Sequence, residues 1–134
     1  MNPSKHLNVR TGIALLLGIL LLAACAAQVR TGWVGASTGS EMAYRYAQFT
    51  GTERGQARAQ AGQTMTLAYA ATVTKGILAI QVQSPEKTTV WETTLAESIN
   101  EQQVDLPLSE SGSYALLVTG DETAGDFAVS WTVK

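Results

Sequence analysis

The chain has 134 residues, 46% of them hydrophobic and 15% charged, with a formal net charge of −2. That length suits one domain, and the charge balance excludes both a charge-rich disordered chain and a basic nucleic-acid binder. A single cysteine excludes an intrachain disulfide framework. Residues 1–12 carry Lys5 and Arg10 and no acid, and Ile13 to Ala27 then run without a charge. A positive start, an apolar stretch and small residues at its end form the pattern of an export signal. The run of 15 residues is short of the roughly 20 that span a bilayer as a helix. Its uncharged neighbours Thr11, Gly12, Gln28 and Val29 could extend it into an uncleaved anchor.

The end of the run is more specific. Leu22-Ala23-Ala24-Cys25 resembles the lipobox of bacterial lipoproteins. The resemblance implies cleavage after residue 24, acylation of Cys25, and a membrane anchor of two or more acyl chains. Each buried CH₂ contributes about 0.8 kcal/mol, so one chain holds marginally and two hold firmly. Ala26, not Asp, follows the cysteine. By the family's sorting pattern this implies the outer membrane in a two-membrane cell, and the outward face of the cell membrane otherwise.

Without residues 1–24, 110 residues remain, and His6, the single histidine of the chain, is gone. This excludes Ser-His-Asp and Cys-His nucleophilic sites, histidine-based zinc sites and a histidine general base. Residues 25–40 begin with the cysteine and are rich in Gly, Ala, Ser and Thr, the composition of a flexible linker. Trp33 stands out there. Either it enters the headgroup layer, where indole rings are favoured, or it covers the domain or opens an extra strand.

From residue 41 to 134 the pattern is short strands and turns. Met65, Leu67 and Tyr69 alternate with smaller or polar residues, as do Leu78, Ile80 and Val82. Tyr114, Leu116 and Val118 form a third face, and Phe127, Val129, Trp131 and Val133 a fourth. A period of two with one polar face marks half-buried antiparallel strands. Weaker strands are expected at residues 44–49, 56–59, 89–95 and 103–106, and a single helical turn at residues 96–101. Turn chemistry punctuates the pattern at residues 50–55, 61–63, 84–87, 109–112 and 120–125. The fold class that follows is all-β, a small antiparallel, jelly-roll-like β-sandwich of about eight strands.

Several of these strands resemble those of bacterial pre-peptidase C-terminal domains. Ala61-Gly62-Gln63-Thr64-Met65-Thr66-Leu67 is similar to a strand entry of that family. Leu78 to Val82 followed by Ser84-Pro85, Gly112 to Val118, and Gly125 to Val129 are similar to its later strands. GOLD-type sandwiches share much of the pattern. The resemblance implies a sandwich in an exported protein and supplies no catalytic residue.

The candidate chemistry is sparse. Asp121, Glu122 and Asp126 gather carboxylates in what reads as a turn, either a calcium loop or a solvated hairpin; Asp105 is an isolated acid. Trp91, Trp131, Tyr44, Tyr46, Tyr69 and Tyr114 could stack on sugar rings if exposed, but Trp131, Tyr69 and Tyr114 alternate in phase with aliphatics, which points to core. No catalytic residue, cofactor or metal ligand is expected. The expected protein is a lipoprotein of the bacterial cell envelope, lipidated at Cys25 and presenting a non-enzymatic binding or structural module. Its expected partners are the membrane and an envelope protein or surface polymer, with no nucleic acid; the alternative is a carbohydrate-binding module.

Overall fold

The computed structural model describes residues 28–134; the signal segment 1–24 and Cys25 lie outside them. Seven strands run in the order β1 (Val29–Thr31), β2 (Val34–Ser37), β3 (Glu41–Ala59), β4 (Thr64–Gln83), β5 (Thr89–Leu95), β6 (Ile99–Pro107) and β7 (Gly112–Val133). All pairings are antiparallel. The last strand lies in the middle, with β3 on one side and β4 on the other.

The strands β3, β4 and β7 are 19, 20 and 22 residues long, far beyond the usual 3–10 or so. Each runs through both layers of a sandwich. The first half of β4 pairs with β6 and its second half with β5. Register shifts interrupt β3 between Tyr46 and Gly51, and β4 between Val73 and Ile77. An extra residue on one strand bends it and increases its twist, and here bulges on neighbouring strands fold one sheet over on itself. The inward phase changes at the same level. Met65, Leu67, Ala71 and Val73 are buried before the bend of β4, and Leu78, Ile80 and Val82 after it.

Contacts across the fold show the two layers face to face. Tyr69, before the bend of β4, has its ring 5.4 Å from that of Trp91 on β5, which pairs with Val82 beyond the bend. Trp131, near the end of β7, reaches the opposite layer at Gly55 of β3. A Cβ on Gly55 would lie 2.6 Å from Trp131 Cη2, so the glycine makes room for the indole. At Gly125, φ is +133° and a Cβ would meet the Thr72 carbonyl; a side chain is excluded on both counts. The Tyr114 hydroxyl donates to the Glu110 carbonyl at 2.9 Å and accepts from the Glu110 amide at 3.2 Å. That local bond pins the entry to β7.

Four sequence expectations are corrected. Residues 41–134 hold five strands, β3 to β7, rather than about eight, because three of them continue through a bend. Residues 50–55 and 120–125 are not turns: they lie inside β3 and β7 at the bend, because glycine, threonine and acids serve a bulge as well as a turn. Residues 99–101 begin β6 rather than completing a helical turn. The expected linker is in large part structured: Val29–Thr31 pairs with Gln48–Thr50, and Val34–Ser37 with Met42–Arg45. The strand Thr89–Leu95 and the turns at residues 61–63 and 84–87 are where the sequence places them.

Candidate functional site

The aromatic residues are mainly structural. Trp131, Tyr114, Tyr46, Phe49 and Phe127 are buried. Tyr44, Tyr69, Trp91 and Trp33 are half-buried and pack on the same core. Trp33 stacks on Tyr44 at 4.5 Å and 25°, and its ring is 4.9 Å from that of Phe49. Arg30 lies 4.5 Å over the Trp33 ring, donates from Nη1 to Glu53 at 2.6 Å and from Nη2 to the Thr52 carbonyl at 2.8 Å. Trp33 thus covers the domain at the bend, one of the two alternatives open from sequence. Among the described residues the exposed large hydrophobics are aliphatic: Val29, Val34, Ile77 and Val90.

Beneath this lid lies a polar flaw. The Tyr46 hydroxyl and Thr123 Oγ1 are buried, and neither has a partner with hydrogen-bond geometry. Burial and the nearby Asp126 carboxylate push the Tyr46 phenol up to about 12, while the neighbouring Thr123 hydroxyl pulls it slightly the other way. Buried polar groups usually find partners, so this pair weakens the core locally.

The acids of residues 121–126 do not form a cation cage. Asp121 and Glu122 are exposed at the bend of β7, and the Asp126 carboxylate accepts the Thr72 amide at 3.2 Å. Among the described residues, no group of three or more His, Cys, Asp or Glu could hold a metal ion. Asp105 accepts the Thr66 hydroxyl at 2.8 Å.

The feature absent from the sequence reading lies on the outer face of the sheet formed by β2, the first half of β3, the second half of β7, the first half of β4, and β6. Register places Ala36 opposite Ala43, Ala43 opposite Ala128, and Ala128 opposite Ala70. Four alanines thus form one row perpendicular to the strands. At about 4.8 Å per strand the row is about 14 Å long. On one side stand Val34, Arg45, Asp126 and Thr72, also in register. On the other stand Glu41, Ser130, Ala68 and Gln103. Alanine is depleted in strands because it packs poorly on a pleated surface. Four aligned across four strands therefore leave a trench between flanking rows that are polar except at Val34 and Ala68. Depressions of about 360 and 140 Å³ touch Ala43, Ala70 and Ala128 of the row, and a third of about 230 Å³ lies beyond it over Glu41, Ala68, Gln103 and Ser130. One end is supplied by β2, within the segment expected to be linker.

Sequence reasoning could not find this row. Ala36, Ala43, Ala70 and Ala128 are scattered over 93 positions of the chain, and only the pairing of four strands aligns them.

The sequence matches no protein-family model and no curated protein. Among solved structures, the chain is similar to a CBM4 carbohydrate-binding module at 13% identity and a TM-score of 0.51, covering 80% of this chain and 77% of that one. This likeness shows a shared β-sandwich fold. The pre-peptidase C-terminal domain of a Bacillus anthracis collagenase superposes at 11% identity and a TM-score of 0.48, covering 74% and 91%. A carbohydrate-binding module of Cellvibrio mixtus lichenase 5A in complex with cellotriose superposes at 12% and 0.47, covering 80% and 89%.

Proposed function

We propose that this protein is a non-enzymatic binding module of the bacterial cell envelope. It is held at the membrane by acyl chains on Cys25 and takes an extended surface polymer across the alanine trench. The observation that carries the reading is the register-aligned row Ala36, Ala43, Ala128 and Ala70 between largely polar rows. The trench is open and shallow, which suits holding a chain.

The wall chemistry favours a polyhydroxylated polymer, a glycan, as the ligand. Glu41, Gln103, Ser130 and Asp126 offer acceptors and donors to hydroxyl groups. Stacking has a minor part, because the aromatic residues bordering the widest of these depressions are Tyr44, half-buried, and Phe127, buried. The walls are more acidic than basic, which disfavours an anionic polymer. The resemblance of Leu22 to Cys25 to a lipobox supports bacterial lipidation, and an anchored module would concentrate the polymer at the cell surface.

Two measurements test this. Metabolic labelling with a fatty acid should mark the protein and fail on Cys25→Ser; equal labelling of the variant would remove the anchor. On a glycan array, the full chain should retain a neutral glycan and Ala128→Arg, which fills the trench, should lose at least tenfold in affinity, about 1.4 kcal/mol. Undiminished binding by Ala128→Arg would move the site elsewhere, and retention of no glycan would leave a protein partner as the occupant.

A further inference from the structure

The charges of the domain are segregated. Residues 28–59, comprising β1, β2 and β3, hold Arg30, Arg45, Arg54 and Arg58 against Glu41 and Glu53, a net charge of +2. Residues 60–134 hold three lysines against nine acids, a net charge of −6. Every arginine after residue 24 thus lies on β1 or β3. Arg45, Arg54 and Arg58 are exposed. Among the described residues Arg30–Glu53 is the only ion pair, so these three guanidinium groups remain available to another surface.

Position on the chain adds a second constraint. Only residues 26–28 separate Cys25 from Val29, the first residue of β1. Four peptide steps reach about 14 Å at full extension. An acyl anchor at Cys25 would therefore hold β1 close to the bilayer surface, with little freedom to present another side. Both β1 and β2 pair with β3, so the flank nearest the anchor is the flank that carries the arginines. Val29 and Val34 on this flank are 37% and 58% exposed.

We infer that the β1–β2–β3 flank lies edge-on against an anionic lipid surface, with Arg45 reaching the phosphates from the outer face of one layer, Arg54 and Arg58 from that of the other, and Val29 and Val34 at the headgroup boundary. This rests on the lipid anchor proposed above. Basic residues next to a membrane anchor are attracted by anionic lipid within about a Debye length, roughly 8–10 Å at ordinary salt. The acidic body, repelled by the same surface, points away, so a domain of net negative charge can still rest stably on a negative membrane.

The test uses the full, lipidated chain bound to preformed vesicles of phosphatidylcholine with or without phosphatidylglycerol. Val34→Cys on β2 and Val90→Cys on β5 each introduce a thiol at a position of similar exposure, 58% and 45%. Reaction with a polyethylene-glycol maleimide should be several-fold slower for Val34→Cys than for Val90→Cys on phosphatidylglycerol vesicles, relative to their rates in detergent. Added salt, or Arg45→Gln with Arg54→Gln and Arg58→Gln, should narrow the gap. Equal rates in a protein that floats with the vesicles would overturn the orientation and leave the anchor standing. A gap unchanged by phosphatidylglycerol, salt or the arginine substitutions would overturn the electrostatic contact. Failure to float with vesicles of either composition would overturn the anchor and the orientation together.

Discussion

The inner and outer faces of the same three strands differ sharply in residue size. Inward, β3, β4 and β7 place Met42, Leu67, Tyr114, Phe127 and Trp131, all buried. Outward, at positions of the opposite phase, the same strands place Ala43, Ala70 and Ala128. The inner face fills space to native density, while the outer face leaves space open. Stability and the proposed recognition would therefore occupy alternate residues of one backbone. A substitution on one face should leave the other property largely untouched, and that separation can be tested.

The largest effect should come from Trp131→Ala. Its indole joins both layers over Gly55, and removing a core aromatic costs roughly 3–5 kcal/mol. Urea unfolding should report that loss; one below about 1 kcal/mol would mean that the ring contributes no core contact. Gly55→Ala approaches the same contact from the other side. A methyl group 2.6 Å from the indole overpacks the core and should cost roughly 1–3 kcal/mol. Adding Gly55→Ala to Trp131→Ala should cost much less, because the clash has gone.

Ala128→Arg sharpens the comparison from the outer face. Its midpoint in urea should stay within about 0.5 kcal/mol of the parent while glycan retention falls. If both fall together, the two faces are not separable. The smallest effect at neutral pH belongs to Tyr46→Phe, which removes a buried hydroxyl without a partner; stability should hold or rise slightly. At alkaline pH the variant becomes informative. Because the folded phenol is raised to about 12 from 10.0, the unfolded chain loses its proton first. Stability then falls as pH rises from about 10 to 12. The slope contributed by Tyr46 should vanish in Tyr46→Phe, and an identical alkaline profile for both proteins would contradict this account of its burial.

The inner face was largely legible in the sequence and the outer face was not. Leu78, Ile80 and Val82 announce a buried face by alternation alone, as do Phe127, Val129 and Trp131. Tight turns were legible where Ser84-Pro85 or Ala61-Gly62 offer few other conformations. The bends were misread because Thr50 to Gly55 and Gly120 to Gly125 have the composition of hairpins, and composition does not reveal that a strand continues beyond a bulge. The trench was invisible for a different reason. Alanine carries no distinctive local signal, and the row exists only once β2, β3, β7 and β4 are in register. Residues 29–37 look like a linker by composition, but Trp33 finds Tyr44 and Phe49 only in the folded state.

The placement of β7 between β3 and β4 governs how the molecule can assemble. Glu41 pairs with Ser130 and Ala59 with Gly112, so β3 has no long neighbour until the final segment has been made. Ordering such distant partners carries a loop-closure penalty that rises with separation, and topologies of this kind reach the native state in about milliseconds to seconds. A polypeptide delivered amino end first would stay unzipped during its passage and close in one late step, when its carboxyl-terminal ribbon slides into the gap held for it.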